Sequence, residues 1–319
     1  MNNMSRNPSW HGLRNGKMPP FPNQIVQTAL SRFGIEDAKD LQPWPFGPFD
    51  ILARFSVDDH EYVLKGRHIE QRGERSLFET QYIQKELLKL KVPVAPFWFA
   101  PNGETLLKGL DWKKDRALYY EIQAVLPGEF FVLDGNTARQ SGVCIAQFHQ
   151  AGQEIDTFLL NKMYWIKDFT TRRYERFKKL REQVRPYLRG DEVRLVDAMF
   201  DRLTRAGWRY SLTWRLIHGD MGCNNLLRGV RPMIVDLDEV GLGEVVDDLG
   251  HFLREVPDDD PAIIEEILRG YLDAGGDLNK ADFQAISDVF VVSGLVDAAS
   301  KVDGQVLELF ERFRFIQGL

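Results

Sequence analysis

Three polar residues that could act together on a phosphate group lie close to one another in the second half of the chain: Asp220, Asn225 and Asp236. Asp220 and Asn225 are five positions apart, and Asp236 ends the apolar run 233–235. Carboxylate and amide oxygens are the ligands that Mg²⁺ prefers, and a carboxylate can also accept a proton from a hydroxyl group. Phosphoryl transfer needs this combination, because the protein mainly positions the reactants and neutralises charge. We therefore predict that Asp220 is a catalytic base and that Asn225 and Asp236 bind Mg²⁺.

A turn with no chemical role would use some of the same residues. Gly219, Gly222 and Asn224 all tolerate the positive φ angles that tight turns need. A turn alone does not require a carboxylate at the end of the apolar run that follows, which favours the catalytic interpretation of Asp236. We predict that His218, just before the loop, braces the loop through a hydrogen bond and does not accept the proton.

The order of these residues resembles a known family. The pattern H-G-D-x-x-x-x-N, at residues 218–225, is followed by an aspartate between apolar residues. Both features resemble the aminoglycoside phosphotransferase and choline kinase superfamily, and the stretch 243–250 continues the resemblance. Asp248 takes the position of a family aspartate that braces the catalytic loop, whereas Glu244 stands where Asp is usual. The pair Asn224-Asn225 is most similar to the spore-coat-kinase and homoserine-kinase-like branches.

The resemblance implies a two-lobe, protein-kinase-like α+β fold with a small mixed β-sheet N-lobe and a larger, mostly helical C-lobe. It implies an enzyme that uses ATP and Mg²⁺ to phosphorylate a hydroxyl of a small polar metabolite or antibiotic. The acceptor could be an amino alcohol, a sugar, an aminoglycoside or a homoserine-like molecule. The alternative is a catalytically quiet, kinase-like protein that acts in binding or in spore-coat assembly.

The same resemblance points to residues that would hold the nucleotide. Lys65 ends an apolar strand, where kinases place the ammonium group that binds the α- and β-phosphates. Glu79 is predicted to orient Lys65, with Glu86 as the alternative partner. Glu79 also fits a helix-capping box that begins at Ser76, and this second interpretation stays open. Backbone groups near Gln123 and Val125 are expected to meet the adenine, whereas the segment 44–49 is a poor phosphate-binding loop because it contains prolines.

Composition agrees with an ordinary globular enzyme. The chain has 319 residues, of which 44% are hydrophobic and 28% charged, and this length accommodates two modest lobes. A net charge of −6 argues against a general nucleic-acid-binding protein. Two distant cysteines do not suggest a disulfide framework or a zinc site. No apolar stretch has transmembrane length, so we expect a cytoplasmic protein, with spore-coat association possible under the branch resemblance.

Periodicity predicts the order of the elements. Residues 1–22 read as a loose arm, 23–125 as the N-lobe and 126–319 as the C-lobe. In the N-lobe we predict a helix at 25–33, a hairpin at 49–65, a helix at 76–90 and strands at 105–107 and 117–125. In the C-lobe we predict a series of helices near residues 143–149, 168–189, 192–203, 262–274, 280–298 and 306–315.

Other polar and aromatic residues have plainer interpretations. His149, beside Phe148 on an apolar helix, is predicted to pack in a core. The basic run within 172–189 reads as a solvated helix face, and the aromatic residues at 164, 165 and 169 either pack or line the acceptor pocket. Three aspartates at 258–260 read as a loop before a helix, although they could also attract a cationic acceptor.

Overall fold

The computed structural model describes residues 23–43, 51–68, 74–110, 117–155, 157–163, 175, 178–179, 181–182, 185–188, 190–204, 212–257 and 260–301. These residues divide into two units. The first unit takes its residues from 1–71 and 97–125, and the second from 72–96 and 126–319. Several predicted features lie outside the described residues. They are the arm, the segment 44–49, the aromatic residues at 164, 165 and 169, Asp258, Asp259, half of the basic residues between 172 and 189, and the last predicted helix.

The first unit is a helix on a five-stranded sheet of strand order β1-β2-β3-β5-β4. Its elements are α1 (Asn23–Arg32), β1 (Lys39–Pro43), β2 (Ile51–Val57), β3 (His60–His68), β4 (Leu107–Leu110) and β5 (Ala117–Ala124). All of its strand pairs are antiparallel. The predicted hairpin is β2–β3, and its two turn residues, Asp58 and Asp59, have φ angles of 49° and 62°. Two consecutive positive φ angles match the right-handed twist of the strands that they join.

Alternating burial explains why the first unit forms this sheet. Along β2 every second residue is buried, so one face of the strand is apolar. That face packs with Leu64 of β3, Ile122 of β5, and Leu30 and Phe33 at the end of α1. Gly34 then stops the helix at a φ of 74°, in the left-handed region that glycine adopts most easily.

The second unit contains the remaining elements, most of them helical. They are α2 (Glu74–Lys89), β6 (Glu129–Phe130), α3 (Ala138–Glu154), α4 (Thr157–Lys162), α5 (Gly190–Thr204), β7 (Trp214–Ile217), β8 (Leu226–Arg228), β9 (Met233–Ile234), β10 (Gly241–Glu244), α6 (Val245–Leu253), α7 (Pro261–Asp273) and α8 (Lys280–Lys301). Strand β7 pairs with β10, and β6, β8 and β9 form a three-stranded sheet. The apolar run 233–235, predicted as a strand, contains β9. The other short strands were not predicted, because segments of two to four residues carry too little periodicity.

Helix α2 belongs to the second unit by its packing, although the sequence assigned it to the first lobe. Ile83 and Leu87 lie in the same apolar cluster as Phe148 and Leu249. The chain that follows α2 is joined to Ile234 of the same cluster. The Ile234 N–H donates a hydrogen bond to Pro93 O at 2.8 Å. Apolar contacts of this kind come from distant parts of the chain and leave no mark in the local pattern.

Two glycines allow helices α3 and α7 to cross at close range. A Cβ atom at Gly142 would lie 2.0 Å from Ile267 O, and one at Gly270 would lie 2.1 Å from Arg139 O. Neither carbonyl could move without disturbing its helix, so both positions require the absence of a side chain. The crossing places His149 of α3 beside Tyr271 of α7, and both residues take part in the site described below.

Within the described part of the chain, no helix combines the length and the apolar character that a membrane span needs. Both cysteines are free thiols.

Candidate active site

Two antiparallel strands hold the loop that carries Asp220. Strand β7 pairs with β10 so that Ile217 lies opposite Gly241, and the loop begins at the next residue. Gly219 has a φ of 81°, which only glycine adopts without strain. The loop ends in a 3-10 turn at Cys223–Asn225 and continues into β8, whose hairpin partner β9 leads to Asp236.

His218 braces this loop. Its side chain is fully buried, and its Nε2 lies 2.9 Å from Val235 O, which can only accept a hydrogen bond. The other ring nitrogen, Nδ1, accepts the Asp220 N–H at 3.3 Å. The ring therefore links the loop to the residue before Asp236, and both of its nitrogens are used in these contacts.

Asp248 of α6 anchors the start of the loop. Its carboxylate accepts the backbone N–H groups of His218 at 2.7 Å and of Gly219 at 2.8 Å. It also accepts a hydrogen bond from His149 Nε2 at 3.0 Å. Burial alone would raise the pKa of Asp248, but the hydrogen bond from His149, the two histidines and the His218 N–H hold this pKa below its ordinary value. An ionised Asp248 thus fixes the backbone on which Asp220 stands.

A second histidine and a tyrosine extend this buried network. His149 Nδ1 lies 2.9 Å from the Tyr271 hydroxyl, and both side chains are almost completely buried. Nε2 donates to the Asp248 carboxylate, which can only accept, while Nδ1 contacts the oxygen that carries the tyrosine proton. Burial and the nearby Asp248 charge raise the pKa of Tyr271, so the hydroxyl keeps that proton. The sequence predicted only a packed histidine here, since nothing in the local pattern joins position 149 to positions 248 and 271.

Asp220 and Asn225 are directly connected. Asn225 Nδ2 donates to the backbone carbonyl of Asp220 at 2.6 Å and lies 3.4 Å from Asp220 Oδ2. The Asp220 side chain remains 52% exposed, which leaves it open to an acceptor. Partial loss of water around this carboxylate raises the pKa of Asp220, and Asp236 and Glu239 raise it further, against the opposing effects of His218 and Asn225. These influences show that Asp220 and Asp236 share one electrostatic environment.

Asp236 has an unusual backbone conformation. Its φ and ψ angles are 59° and 60°, in the left-handed region, and it caps the 3-10 turn at Leu237–Glu239. A residue other than glycine in this region costs on the order of 1 kcal/mol or more, and such strain is concentrated at functional sites. The hydrogen bond from Val235 N–H to Asn225 O, at 3.0 Å, holds the approach to Asp236 against the catalytic loop.

The oxygen donors here fit Mg²⁺ held partly by a nucleotide. Asn225 uses its amide nitrogen on Asp220, so its oxygen Oδ1 is the atom that can bind a cation, beside a carboxylate from Asp236. Among the described residues, no group of three His, Cys, Asp or Glu side chains could hold a metal by itself. Mg²⁺ is commonly held by one or two protein oxygens together with phosphates and water, so this donor set suits it.

The predicted nucleotide residues are divided between the two units. Lys65 lies on β3 opposite Glu121 of β5, and Glu121 accepts hydrogen bonds from Arg67 at 2.8 Å and Gln123 at 3.1 Å. The Val125 N–H donates to Glu61 O at 2.8 Å, so only the carbonyl of Val125 is left for an adenine.

In the second unit, Glu79 accepts a hydrogen bond from Arg75 at 2.6 Å, and Glu86 pairs with Lys89 at 2.6 Å. The capping-box interpretation of Ser76 is wrong, because α2 already begins at Glu74 and Ser76 lies inside the helix. The local pattern was misleading, since a Ser followed by Glu three residues later also occurs within helices. The pairing of Lys65 with Glu79 or Glu86 stays a prediction.

Comparison with known proteins places this geometry in context. A family model described as APH, phosphotransferase enzyme family, matches residues 53–283. Stress response kinase A of Escherichia coli (strain K12) is 24% identical over 248 residues, which are 77% of this chain and 72% of that protein. A serine/threonine protein kinase RdoA of Salmonella typhimurium (strain LT2) is 24% identical over 250 residues, covering 78% and 73%.

Solved structures agree on the fold. The amicoumacin kinase hAmiN, in complex with AMP-PNP, Ca²⁺ and Ami, superposes with a TM-score of 0.68 at 14% sequence identity and covers 93% of each chain. The chain therefore has the expected two-lobe, protein-kinase-like α+β fold. The curated relatives named here are a stress response kinase and a serine/threonine protein kinase. The spore-coat and homoserine-kinase-like branches stay predictions.

Proposed function

This chain belongs to the APH phosphotransferase enzyme family, and from that premise we propose that it transfers the γ-phosphate of ATP to a hydroxyl group of a small polar acceptor. In this proposal Asp220 orients the acceptor hydroxyl and takes its proton as the oxygen forms a bond to phosphorus. The bond between the γ-phosphorus and the bridging oxygen breaks, and ADP leaves. The half-exposed Asp220 carboxylate and its connection to Asn225 are the observations that carry the proposal.

The other residues of the proposal neutralise and hold the phosphates. Lys65 would bind the α- and β-phosphates, and the Val125 carbonyl would contact the adenine. Asn225 Oδ1 and the Asp236 carboxylate would hold Mg²⁺, which supplies positive charge against the phosphates when bound. His218 and Asp248 act only on the loop. The hydrogen bonds of the His218 ring go to backbone groups, and those of Asp248 go to backbone groups and to His149.

The acceptor class rests on the related proteins. The solved structure named above is that of an amicoumacin kinase in complex with AMP-PNP, Ca²⁺ and Ami. An amino alcohol, a sugar, an aminoglycoside or a homoserine-like molecule is therefore the proposed acceptor class. A second candidate acceptor is a serine or threonine of a protein, because one curated relative is named a serine/threonine protein kinase. A catalytically quiet role in binding or spore-coat assembly remains the alternative to both.

One experiment separates these candidates. Purified protein is incubated with ATP labelled at the γ-phosphate and Mg²⁺, with a panel of the small hydroxyl compounds and with an unstructured serine-rich protein. We expect label on a small compound with the wild type and loss of about 10²-fold or more in turnover with Asp220→Asn. Glu265→Ala serves as a matched control, because Glu265 is an exposed carboxylate on α7 whose partner is the surface Arg269.

The outcomes are distinct. Label on the protein substrate alone would replace the small-molecule acceptor by a protein hydroxyl. Equal turnover of the wild type and Asp220→Asn would remove Asp220 from its role. No Mg²⁺-dependent nucleotide binding by calorimetry at millimolar nucleotide would support the catalytically quiet alternative.

A further inference from the structure

One side of α6 and of the turn after it follows the catalytic loop from start to end. Asp248, His251 and Glu255 are spaced by three and four residues, so they lie on one face of the helical path. Asp248 accepts the N–H groups of residues 218 and 219, and His251 Nε2 lies 3.8 Å from Asp220 Oδ1. Glu255 Oε2 accepts the Cys223 N–H at 2.7 Å. The three side chains meet the loop in the same order as the loop residues follow one another.

Glu255 holds Cys223 through the backbone of the loop. The Glu255 carboxylate accepts the Cys223 N–H at 2.7 Å, although the two residues are 32 positions apart in the chain. Cys223 therefore serves as the attachment point of the loop.

The second oxygen of Glu255 lies close to the backbone of Gly222. A Cβ atom at Gly222 would lie 2.8 Å from Glu255 Oε1 and 2.6 Å from Asn224 Oδ1. Gly222 has a φ of −149°, which any residue adopts, so a side chain here would displace the ends of Glu255 and Asn224 without straining the backbone. The carboxylate thus lies directly against the backbone of the loop.

Cys223, the residue that Glu255 holds, begins the turn that presents Asn225. Cys223 is the first residue of the 3-10 turn at Cys223–Asn225, and the Asn225 N–H closes that turn on Gly222 O at 2.9 Å. The first N–H of such a turn has no partner within the turn itself. Glu255 supplies that partner, and in doing so it fixes the direction in which the Asn225 side chain leaves the backbone.

We propose that Glu255 is a positioning residue for the metal ligand Asn225: by holding Cys223 it sets the 3-10 turn in the orientation that places the Asn225 oxygen for Mg²⁺. The inference rests on the proposed function for the identity of the ligand. The inference goes beyond the proposed function, because Glu255 lies outside the loop and outside helix α6 and touches no reacting atom.

The first test measures metal dependence. Wild type, Glu255→Ala and Glu255→Gln are titrated with Mg²⁺, and binding of a nucleotide analogue is followed by calorimetry at each concentration. We expect Glu255→Ala to require about tenfold more Mg²⁺ for half-maximal binding, in the range seen when residues that orient metal ligands are removed. The amide oxygen of Glu255→Gln still accepts the Cys223 N–H, so this variant should restore most of the affinity. Glu265→Ala is the control for loss of a carboxylate elsewhere.

The second test does not depend on nucleotide binding or on activity. Alkylation of Cys223 is followed at pH 8, with melting temperature recorded to show that each variant is folded. Cys144 is a suitable internal reference, because it is buried and burial raises its pKa to about 12. We expect Cys223 to react several-fold faster in Glu255→Ala than in the wild type.

The results separate the inference from the proposed function. Equal Mg²⁺ dependence of wild type and Glu255→Ala, or an unchanged alkylation rate, would overturn the inference. Equal losses in Glu255→Gln and Glu255→Ala would also overturn it, because charge and not hydrogen bonding to Cys223 would then be the cause. A wild type without any Mg²⁺-dependent nucleotide binding would count against the proposed function itself, whatever the alkylation rates.

Discussion

The Asn225 side chain donates a hydrogen bond of 2.6 Å to the backbone carbonyl of Asp220. The residue predicted to bind metal therefore also ties down the residue predicted to act as base. In the proposed site one amide serves both ends of this arrangement, with its nitrogen on the loop and its oxygen on the cation. The five-residue spacing is thus a geometric requirement, since it lets the chain turn once and return the side chain to the start of the loop.

Replacement of Asn225 should separate these two tasks. In Asn225→Asp the carboxylate can still bind Mg²⁺, but it cannot donate to Asp220 O and it places a further negative charge beside Asp220. In Asn225→Ala both tasks are lost. We expect turnover to fall by about 10²-fold or more in both variants, with the Mg²⁺ requirement raised strongly only in Asn225→Ala. Steady-state kinetics over a range of Mg²⁺ concentrations measure both, and an Asn225→Asp variant with unchanged turnover would contradict the role of the tether.

Asp236 offers a test that joins metal binding to backbone strain. Its φ of 59° is unfavourable for alanine and acceptable for glycine. Asp236→Gly and Asp236→Ala should both weaken Mg²⁺-dependent nucleotide binding by about tenfold or more, because each removes the carboxylate. The alanine variant should be less stable than the glycine variant by on the order of 1 kcal/mol. Calorimetry with and without Mg²⁺ measures nucleotide binding, and urea unfolding measures stability. Equal metal dependence in wild type and Asp236→Gly would exclude Asp236 as a ligand.

The sequence predicted the parts of this site that are local in the chain. Asp220, Asn225 and Asp236 fall within 17 residues of each other, and a loop followed by a hairpin brings such neighbours together without help from the rest of the fold. The hairpin β2–β3 and the helices α1, α5, α7 and α8 were likewise readable, because each is long enough for its periodicity to show. Local spacing is sufficient where the contacts themselves are local.

The residues that support the loop could not be predicted, because their contacts join distant parts of the chain. Glu255 contacts the loop, and His149 and Tyr271 join Asp248 behind it, only after α3, α6 and α7 have packed. These contacts span from 32 to 122 positions in the chain. A histidine on an apolar helix or a glutamate after a helix has many possible partners, and one sequence does not choose among them. Helix α2 is a further example. The order of elements along the chain predicted it in the first lobe, whereas the packing of Ile83 and Leu87 places it in the second unit.

A buried ion pair between α5 and α8 should contribute to stability without touching the site. Arg202 contacts both carboxylate oxygens of Asp288 at 2.7 and 2.8 Å, and Asp288 is fully buried. Asp288→Ala leaves the guanidinium partly buried without its anion, and we expect the free energy of unfolding to fall by about 2 kcal/mol or more. The double variant Arg202→Met with Asp288→Leu should recover much of this loss. Urea unfolding measures both, and a double variant as unstable as Asp288→Ala would show that the pair is not the cause.

Acid stability should report on the network around Asp248. The pKa of Asp248 is held below its ordinary value in the folded protein, so its contribution to stability is complete above the pKa of an unfolded aspartate and is lost as pH falls through the lower, folded value. His149→Ala removes one donor to this carboxylate, which should raise the folded pKa and shift acid unfolding to higher pH. Tyr271→Phe removes only the outer hydroxyl and should shift it less. Melting temperatures between pH 3 and 8, roughly the window in which carboxylates titrate, test this order. Identical acid unfolding of wild type and His149→Ala would show that the His149 hydrogen bond does not set the pKa of Asp248.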